Sequence, residues 1–397
     1  MCIRDSIQPM EGCDGTPDGR PDTLTQRRYR RFARGGAGLI WFEATAIVQE
    51  GRANPRQLYL NKKTLDSFRT QVEEIKEEGM RQNGFAPVVI CQLTHSGRYA
   101  KPEGVPAPLI AYNNPLFEKE QPIDKSRIVS DDKLKRLEEA FGATALLAQE
   151  AGFDGADIKC CHRYLLSEML SAFTRPGDYG GAFENRTRLL RNAIFAAKGA
   201  TSGEFLITSR VNLYDGFAYP YGFGVSPTSG LMPDLTEPKA LVTLLHKELR
   251  LPMLDFTIGN PYVNPHVNRP YDGGPYVPDE HPLEGVARML GCIGQLKKAF
   301  PSLCVIGSGF SYLRQFSPYL AAGAVEQSVC DLAGFGRMAF AYPDFPRDTL
   351  YGEGFNARKT CIACGKCSAL MRAGTVAGCV VRDGETYLPF YQAHCCV

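Results

Sequence analysis

Short apolar segments alternate with longer amphipathic segments from one end of the chain to the other. The apolar segments are five to eight residues long and rich in β-branched side chains, which is typical of buried strands. They predict eight strands, at residues 6–10, 39–44, 87–93, 154–158, 205–211, 253–257, 303–307 and 326–333. Because strands that alternate with helices form parallel βα units, eight such strands predict one closed barrel.

The amphipathic segments predict helices at residues 24–34, 63–82, 131–150, 184–200, 238–250, 282–300 and 312–322, with another after Pro346. Ser130 lies where the N-cap of the third helix is expected, and Gly84 and Gly152 lie where helices end. Right-handed crossovers would close the units into a (β/α)8 TIM barrel of the α/β class. In this fold the active site forms at the C-terminal ends of the strands.

The connections that leave the predicted strands are long, whereas those that return to them are short. The long connections cover residues 45–61, 94–129, 159–183, 212–236 and 258–281. Loops of this length within a compact domain are usually functional. The third begins with the run KCCHRY at 159–164, directly behind a strand. Taken alone, this run fits either a metal site or a nucleophile site.

The overall charge of the chain is close to neutral. The 397 residues include 45 basic and 43 acidic side chains, which gives a net charge of +2 and no field to attract nucleic acid or an anionic membrane. No apolar run reaches the roughly 18 to 20 residues that cross a bilayer, and the N-terminus has no signal-peptide pattern. We therefore expect a soluble, cytoplasmic protein. The one dense basic run, RRYRRFAR at 27–34, is predicted to be the solvated face of a helix.

The 14 cysteines are scattered through apolar segments and then concentrated near the C-terminus, which favours a reducing compartment over a disulfide framework. Four of them form a Cys-x2-Cys-x2-Cys-x11-Cys pattern: Cys361, Cys364, Cys367 and Cys379. Tight CxxC steps let neighbouring thiolates reach one metal centre. Four thiolates suit zinc or a [4Fe-4S] cluster, and the spacing favours the cluster because zinc ribbons more often pair two CxxC steps.

These patterns divide the chain into a barrel, residues 1–352, and a short cysteine-rich iron–sulfur segment, residues 353–397. No GxGxxG motif follows the cysteine tract, so no C-terminal FAD/NAD domain is predicted.

Five longer motifs carry a resemblance to a known family. They are GGAGLIWFEAT at 35–45, CQLTHSGR at 91–98, YGGAFENRTR at 179–188, SRVNLYDGF at 209–217 and FGRMAFAYPDFP at 335–346. With them the chain resembles the Old Yellow Enzyme superfamily of NADH:flavin oxidoreductases. More narrowly, it is similar to the iron–sulfur branch that contains the 2,4-dienoyl-CoA reductases, the enoate reductases and trimethylamine dehydrogenase.

The resemblance implies an FMN that lies across the top of the barrel. Its isoalloxazine ring would be contacted by Pro9, Met10, Ala44, Gln92 and Arg210. Its phosphate would be held by Gly307, Ser308, Gly309, Gly336 and Arg337. A guanidinium near the pyrimidine edge would stabilise the negative charge that reduction builds there.

The same resemblance assigns catalytic roles behind the fourth strand. Tyr164 matches the tyrosine that protonates the α carbon of an activated alkene, and His162 matches a residue that binds its carbonyl oxygen. Lys159 departs from the family, which usually has histidine there; it would bring a positive charge to the carbonyl. The alternative for Lys159 is an ion pair with Asp157 or Glu168. Glu11 also departs from the family, which often has a small residue near the flavin.

The resemblance therefore implies an FMN-dependent ene reductase that acts on a small unsaturated substrate: an enoate, an enoyl thioester or an enone. Electrons would enter through the cluster from an electron-donor protein or a separate reductase, with NAD(P)H as a direct or indirect donor. Neither nucleic acid nor a membrane is expected as a partner, and a homo-oligomer is left open. Two alternatives also stay open: an amine dehydrogenase-like oxidation, and an aldolase-like barrel with a Schiff base on Lys159 and a structural zinc.

Overall fold

The computed structural model describes residues 4–352 and 354–396. Eight parallel strands form a closed barrel in which each strand pairs with the next and β8 pairs with β1. The strands are β1 Asp5–Ile7, β2 Leu39–Ala46, β3 Val88–Thr94, β4 Gly155–Ile158, β5 Leu206–Asn212, β6 Met253–Thr257, β7 Cys304–Gly307 and β8 Leu332–Phe335. The predicted (β/α)8 barrel is confirmed.

Helices surround the barrel and fill its longer loops. In the described residues they are α1 Thr23–Arg34, α2 Leu65–Asn83, α3 Pro115–Glu118, α4 Asp131–Glu150, α5 Leu165–Leu170, α6 Phe183–Arg186, α7 Arg188–Ala200, α8 Thr236–Val242, α9 Pro265–Asn268, α10 Pro282–Ala299, α11 Ser317–Glu326, α12 Arg337–Ala341, α13 Phe345–Tyr351, α14 Lys366–Arg372 and α15 Gly384–Cys395. The side chain of Ser130 accepts a hydrogen bond from the Lys133 amide, which confirms it as the N-cap of α4.

The position of the last strand was predicted wrongly. The apolar run at 326–333 suggested one strand, but α11 continues to Glu326 and β8 begins only at Leu332. Ser328 has a φ of 56°, and the Val329 amide returns to the carbonyl of Ala324. This turn ends the helix, so part of the apolar run packs as a helix terminus and not as a strand.

The interior of the barrel changes from apolar to polar along its axis. Leu39, Trp41, Ile90 and Ile306 form a small apolar cluster inside the barrel. Residues two positions apart on a strand point to the same side, so Gln92, like Ile90, points into the interior of the barrel. Gln92 there donates to Asp157, which also accepts from the indole of Trp41. Polar side chains therefore gather at the C-terminal end of the barrel.

The basic run at 27–34 is not simply a solvated helix face, so that prediction was wrong. Arg28 is buried and pairs with Asp14 and Glu43 beneath β1. Arg27 and Arg31 both pair with Asp383, which precedes α15. Two guanidinium groups on one carboxylate hold the C-terminal segment against α1, because bidentate charged hydrogen bonds fix both distance and orientation.

The predicted boundary between residues 352 and 353 falls at residue 353, which lies outside the described residues. Among the helices that the structure describes, none combines the length and the apolar character needed to cross a membrane.

Candidate active site

A deep cleft opens at the C-terminal ends of the strands, where a barrel of this type has its active site. Its empty volume is about 990 Å³, including the part open to solvent. Residues from the ends of β1, β4, β5, β6, β7 and β8 contribute to its wall, together with part of the cysteine segment. The cleft therefore joins the barrel and the cysteine segment in one site.

Most of the residues predicted from the sequence line this cleft. The three predicted catalytic residues do so: Lys159, His162 and Tyr164. Seven of the ten predicted flavin contacts also line it: Pro9, Met10, Arg210, Ser308, Gly309, Gly336 and Arg337. Their roles toward a ligand stay predictions, but the barrel brings them together from five separate strand ends.

Three predicted flavin contacts, Ala44, Gln92 and Gly307, do not line the cleft. Ala44 is buried within β2, where its carbonyl accepts from Gln57. The amide nitrogen of Gln92 is 2.6 Å from a carboxylate oxygen of Asp157. Gly307 ends β7, immediately before Ser308, which does line the cleft. For Gln92, the hydrogen bond to Asp157 leaves a second N–H and the carbonyl oxygen of the amide for other partners.

Tyr164 lies at the centre of a hydrogen-bonded group. Its hydroxyl donates to Glu11 at 3.0 Å and lies 2.7 Å from the hydroxyl of Tyr262. The ring of Tyr262 stacks on Tyr99, with 4.0 Å between centroids. Burial, and then the charge of Glu11, raise the pKa of Tyr164 well above its usual value. The phenol therefore keeps its proton at neutral pH.

Lys159 lies directly above the ring of Tyr164, with Nζ 3.7 Å from the ring centroid. The alternative of a pairing with Asp157 or Glu168 is wrong for the described residues. Asp157 accepts from Gln92 and Trp41 instead, and Glu168 pairs with Arg98. Burial lowers the pKa of Lys159, and the negative charge of Glu11 opposes this shift. A cation over an aromatic face in a desolvated site is a favourable arrangement.

His162 follows β4 in a strained backbone conformation, with a φ of 61°. Its Nε2 atom is buried and has no hydrogen-bond partner in the part of the chain that the structure describes. Burial, followed by repulsion from Arg210 and Lys159, lowers its pKa well below the usual value. The ring is therefore neutral at pH 7 and presents an unused hydrogen-bonding group to the cleft.

Arg210, at the floor of the cleft, is supported by an acidic residue of the next strand. Its Nε forms an ion pair with Oδ2 of Asp255 at 3.1 Å, and Oδ1 of Asp255 accepts a hydrogen bond from Gln8 at 3.2 Å. Burial raises the pKa of Asp255 to about 7, although the positive charge of Arg210 opposes this shift. One amino group of Arg210 lies 3.4 Å from the hydroxyl of Ser308. The guanidinium is thus fixed in position while its edge remains on the cleft.

The cleft fits an FMN. Gly309 has a φ of 103°, which side-chain-bearing residues rarely adopt, and a Cβ on Gly336 would lie 2.8 Å from the sulfur of Met10. Because glycine has no side chain, these positions let the backbone amides approach the space above β7 and β8, where barrels commonly bind phosphate. Arg337 lines the same space and uses one donor on the carbonyl of Pro270. Arg210 would then meet the flavin ring, and Ser308 and Arg337 its phosphate.

The four predicted metal ligands share one cavity. Cys361, Cys364, Cys367 and Cys379 all line a space of about 370 Å³ beside Arg337. As positioned, no three acidic, histidine or cysteine side chains of the described residues form a group that could hold a metal ion. The sulfur atoms therefore surround a common space without reaching ligand geometry, and the cluster stays a prediction.

The chemistry of this cavity nevertheless fits an iron–sulfur cluster. The amide of Ala363 donates to the sulfur of Cys361, and the amide of Arg382 donates to the sulfur of Cys379, each at 3.4 Å. Hydrogen bonds to sulfur and nearby charge are the means by which proteins tune such clusters. Ala363 and Gly365 have positive φ angles, which turn the chain between successive cysteines. Cys367 lines both this cavity and the main cleft.

Sequence reasoning missed several residues of the cleft wall, among them Tyr262 and Arg269, and did not assign a role to Glu11. All three line the cleft. Tyr262 and Arg269 lie in the long loop at 258–281, whose length was the only signal that could have found them. Glu11 did give a signal, because it is an acidic residue at a position where the resemblance predicts a small one.

Known proteins support the same assignment. The sequence profile of the NADH:flavin oxidoreductase / NADH oxidase family matches residues 4–223. An NADPH dehydrogenase of Clostridium acetobutylicum is 31% identical over 232 residues, which are 57% of this chain and 64% of that protein. The chain spans about half to two thirds of the length of the curated relatives that it matches.

Two solved structures share the fold across 95% of the chain. A 2-naphthoyl-CoA reductase in complex with 2-naphthoyl-CoA has a TM-score of 0.76 at 18% identity, and 54% of that chain is covered. A histamine dehydrogenase from Rhizobium sp. 4-9 has a TM-score of 0.72 at 21% identity, with 50% of that chain covered. At these identities the likeness shows the fold alone. With the profile match over more than half of its residues, the chain belongs to the NADH:flavin oxidoreductase / NADH oxidase family, the flavin-dependent Old Yellow Enzyme family.

Proposed function

We propose that this protein is an FMN-dependent reductase of an electron-poor C=C bond. The observation that carries the proposal is the Tyr164 hydroxyl, which lies in the same cleft as Lys159, His162 and the residues that fit a flavin. A proton donor beside two carbonyl-binding groups is the arrangement that alkene reduction requires, because a proton must reach one carbon while charge develops on the carbonyl oxygen. FMN, when bound, supplies the hydride for the other carbon.

Lys159 and His162 bind and polarise the substrate carbonyl in this mechanism. The imidazole of His162 is neutral and has a free hydrogen-bonding atom, so it can donate to the carbonyl oxygen without adding charge. Lys159 supplies the positive charge and is held by the Tyr164 ring. Burial of both groups strengthens their interaction with the developing enolate, because water does not screen it.

Tyr164 transfers its phenolic proton to the α carbon of the enolate. The phenol is neutral before the step because its pKa lies well above its usual value. The O–H bond of Tyr164 breaks and a C–H bond forms, while the electron pair of the enolate becomes that bond. Lys159, over the ring face, stabilises the phenolate that this step leaves.

Positive charge around the cleft favours a substrate that carries anionic groups. A second pocket adjoins the cleft and shares Arg269, Arg337 and Ser368 with it. Lys366 and Arg372 complete a lining that includes no acidic residue. Such a pocket attracts carboxylate or phosphate groups. An acyl thioester on a phosphorylated carrier would fit both regions at once, which agrees with the ligand of the 2-naphthoyl-CoA reductase.

We further propose that electrons enter through a [4Fe-4S] cluster on the four cysteines. Cys367 lines both cavities, so a cluster there would lie next to the flavin site. Electrons would come from a donor protein or a separate reductase, with NAD(P)H as a direct or indirect source, and the barrel and cysteine segment would act as two domains of one enzyme.

Amine oxidation is the second candidate, and one feature favours it. Tyr99, Tyr164 and Tyr262 form an aromatic cluster of the kind that binds alkylammonium groups. However, Lys159 already occupies the face of Tyr164, and Arg210 and Arg269 line the same cleft. A second cation would be repelled there. The burial of Lys159 also meets one condition for a Schiff-base aldolase, but family membership makes a flavin reaction the better proposal.

The test is a pair of half-reactions in anaerobically purified protein. We expect a flavin absorbance spectrum, and we expect 2-enoyl thioesters to reoxidise the dithionite-reduced protein within single-turnover mixing experiments. A free enone and an enoate serve as comparison substrates. If histamine or trimethylamine reduces the oxidised protein while no alkene reoxidises the reduced protein, the reductase proposal is overturned in favour of amine oxidation. Absence of bound flavin, with a lysine adduct trapped by borohydride, would overturn both.

A further inference from the structure

Glu11 is the one acidic side chain that contacts the hydroxyl of Tyr164 in the described structure. Its two carboxylate oxygens have separate partners. One accepts from Tyr164 at 3.0 Å, and the other accepts from the side-chain amide of Gln57 at 2.6 Å. The amide of Gln57 also donates to the carbonyl of Ala44, at 3.1 Å, which fixes the pair against β2. Glu11 is therefore held with one oxygen aimed at the tyrosine.

Tyr164 has little direct access to solvent. Only 1% of its surface is exposed, whereas Glu11 is half-buried and lines the open cleft. Lys159 lies over the ring face and not at the hydroxyl. The hydroxyl has two hydrogen-bond partners, Glu11 and Tyr262. These two hydrogen bonds therefore offer direct routes for a proton to reach Tyr164.

Of the two partners, the carboxyl group is the better proton donor. Burial raises the pKa of Glu11, and attraction to Lys159 opposes this shift. Burial also raises the pKa of Tyr262 well above that of a free phenol. The other groups that face Glu11 are the neutral thiol of Cys13 and the Arg28-paired carboxylate of Glu43. A carboxylic acid gives its proton to a phenolate readily, since it is the stronger acid.

We propose that Glu11 is the acid that returns a proton to Tyr164 after each reduction, an inference that rests on the proposed ene reductase function. When Tyr164 has protonated the substrate, the O–H bond of the Glu11 carboxylic acid breaks and the O–H bond of Tyr164 forms again. The carboxylate that remains takes its next proton from water in the cleft. Glu11 thus touches the reacting tyrosine and replaces the small residue that the resemblance predicts at this position.

The test compares Glu11→Gln with the wild type and with a surface variant, Asp66→Asn, in the intact protein. Glutamine keeps the shape and the acceptor oxygen but has no proton to relay. With reduced methyl viologen as the electron source, we expect steady-state alkene reduction to fall about 10- to 100-fold in Glu11→Gln, within the range of general acid–base effects. The first turnover should change far less, because Tyr164 already carries its proton. Asp66→Asn should keep the wild-type rate, since the side chain of Asp66 is 90% exposed.

Two further readouts separate a relay from a structural role. Wild-type turnover should fall as pH rises through the pKa of Glu11, and Glu11→Gln should lose this limb of the profile. Formate should partly restore Glu11→Ala, because a small acid can enter the vacated space. In protein whose tyrosines are labelled at Cζ, the NMR signal of Tyr164 is the one that disappears in Tyr164→Phe. This signal should shift in Glu11→Gln even without turnover, because the hydrogen bond to the Tyr164 hydroxyl changes.

Either of two results would overturn the relay: an unchanged steady-state rate and pH profile in Glu11→Gln, or an equal loss in its first turnover without rescue by formate. In both cases wild-type protein would still reduce the alkene, so the proposed function would stand. If wild-type protein reduced no alkene, the proposed function would fail first.

Discussion

Tyr164 and Glu11 are 153 residues apart in the chain, yet one hydrogen bond joins them at the mouth of the barrel. At this scale the site is a set of opposing charges in a desolvated space: Lys159 above the tyrosine ring, Glu11 at its hydroxyl and Arg210 on the floor. Lys159 lowers the pKa of Glu11, Glu11 raises and Arg210 lowers the pKa of Lys159, and Glu11 raises the pKa of Tyr164. The reactivity of Tyr164 is therefore a property of this group and not of the phenol alone.

Replacing Tyr164 with phenylalanine should slow alkene reduction by about 10²- to 10⁴-fold, the usual contribution of a positioned acid. Reduction of the flavin by dithionite should keep its wild-type rate, because the hydroxyl has no part in that step. Stopped-flow measurements of the two half-reactions give both rates. Equal losses in both would show that the substitution damages the flavin site, and would remove the proton-donor role.

At the scale of elements, the cysteine segment is bound to the barrel at two points. Arg27 and Arg31 of α1 hold Asp383, and the amide of Ala377 donates to the carbonyl of Gly12 at 2.7 Å. Gly12 directly follows Glu11, so the segment contacts the loop that carries the proposed proton relay. The segment and the loop after β1 therefore share one packed region beside the cleft.

Replacing Cys364 with serine should remove most of the bound iron and acid-labile sulfide, because a hydroxyl is a poor substitute for a thiolate ligand. Chemical iron and sulfide assays after anaerobic reconstitution provide the measurement. Cys396→Ser is the matched control, since Cys396 is exposed and lies outside the four-cysteine pattern. Unchanged iron in Cys364→Ser would contradict the predicted ligand set, and zinc in place of iron would contradict the cluster.

At the scale of the whole molecule, the fold buries several acidic groups. Burial raises the pKa values of Asp255, Asp5 and Glu43 to about 7. A carboxyl group whose pKa is higher in the folded than in the unfolded state stabilises the folded state fully at pH values below its unfolded-state pKa. That contribution is lost as pH rises through its folded-state pKa. Stability of the flavin-free protein should therefore decrease between about pH 4 and pH 7.

Asp255→Asn tests this pH dependence, because asparagine resembles the protonated acid. We expect the variant to match wild type near pH 4 and to be more stable near pH 7, with a gain of up to about 1.4 kcal/mol for each pH unit between. Urea unfolding of the flavin-free protein at several pH values measures the slope. Asp66→Asn is the control, since the side chain of Asp66 is 90% exposed. An unchanged slope in Asp255→Asn would refute the assignment.

The sequence predicted the elements of the barrel well because strand and helix patterns are local. Seven strands lie within a few residues of their predicted positions, and α4 has the predicted ends. The prediction failed at 326–333, because the apolar run gave no sign that it contains both the end of a helix and the start of a strand. Arg27 and Arg31 were misjudged for a similar reason, since their partner Asp383 is more than 350 residues away.

By itself, the sequence determined the fold, the family and the identity of many residues around the cleft, because these follow from periodicity and from motifs within short segments. Only the tertiary structure decided which groups meet. It placed Lys159 on the face of Tyr164 and Glu11 at its hydroxyl, and it directed Gln92 toward Asp157. The physical reason is that closing a barrel brings the ends of distant strands together, and pKa values depend on those neighbours and on burial.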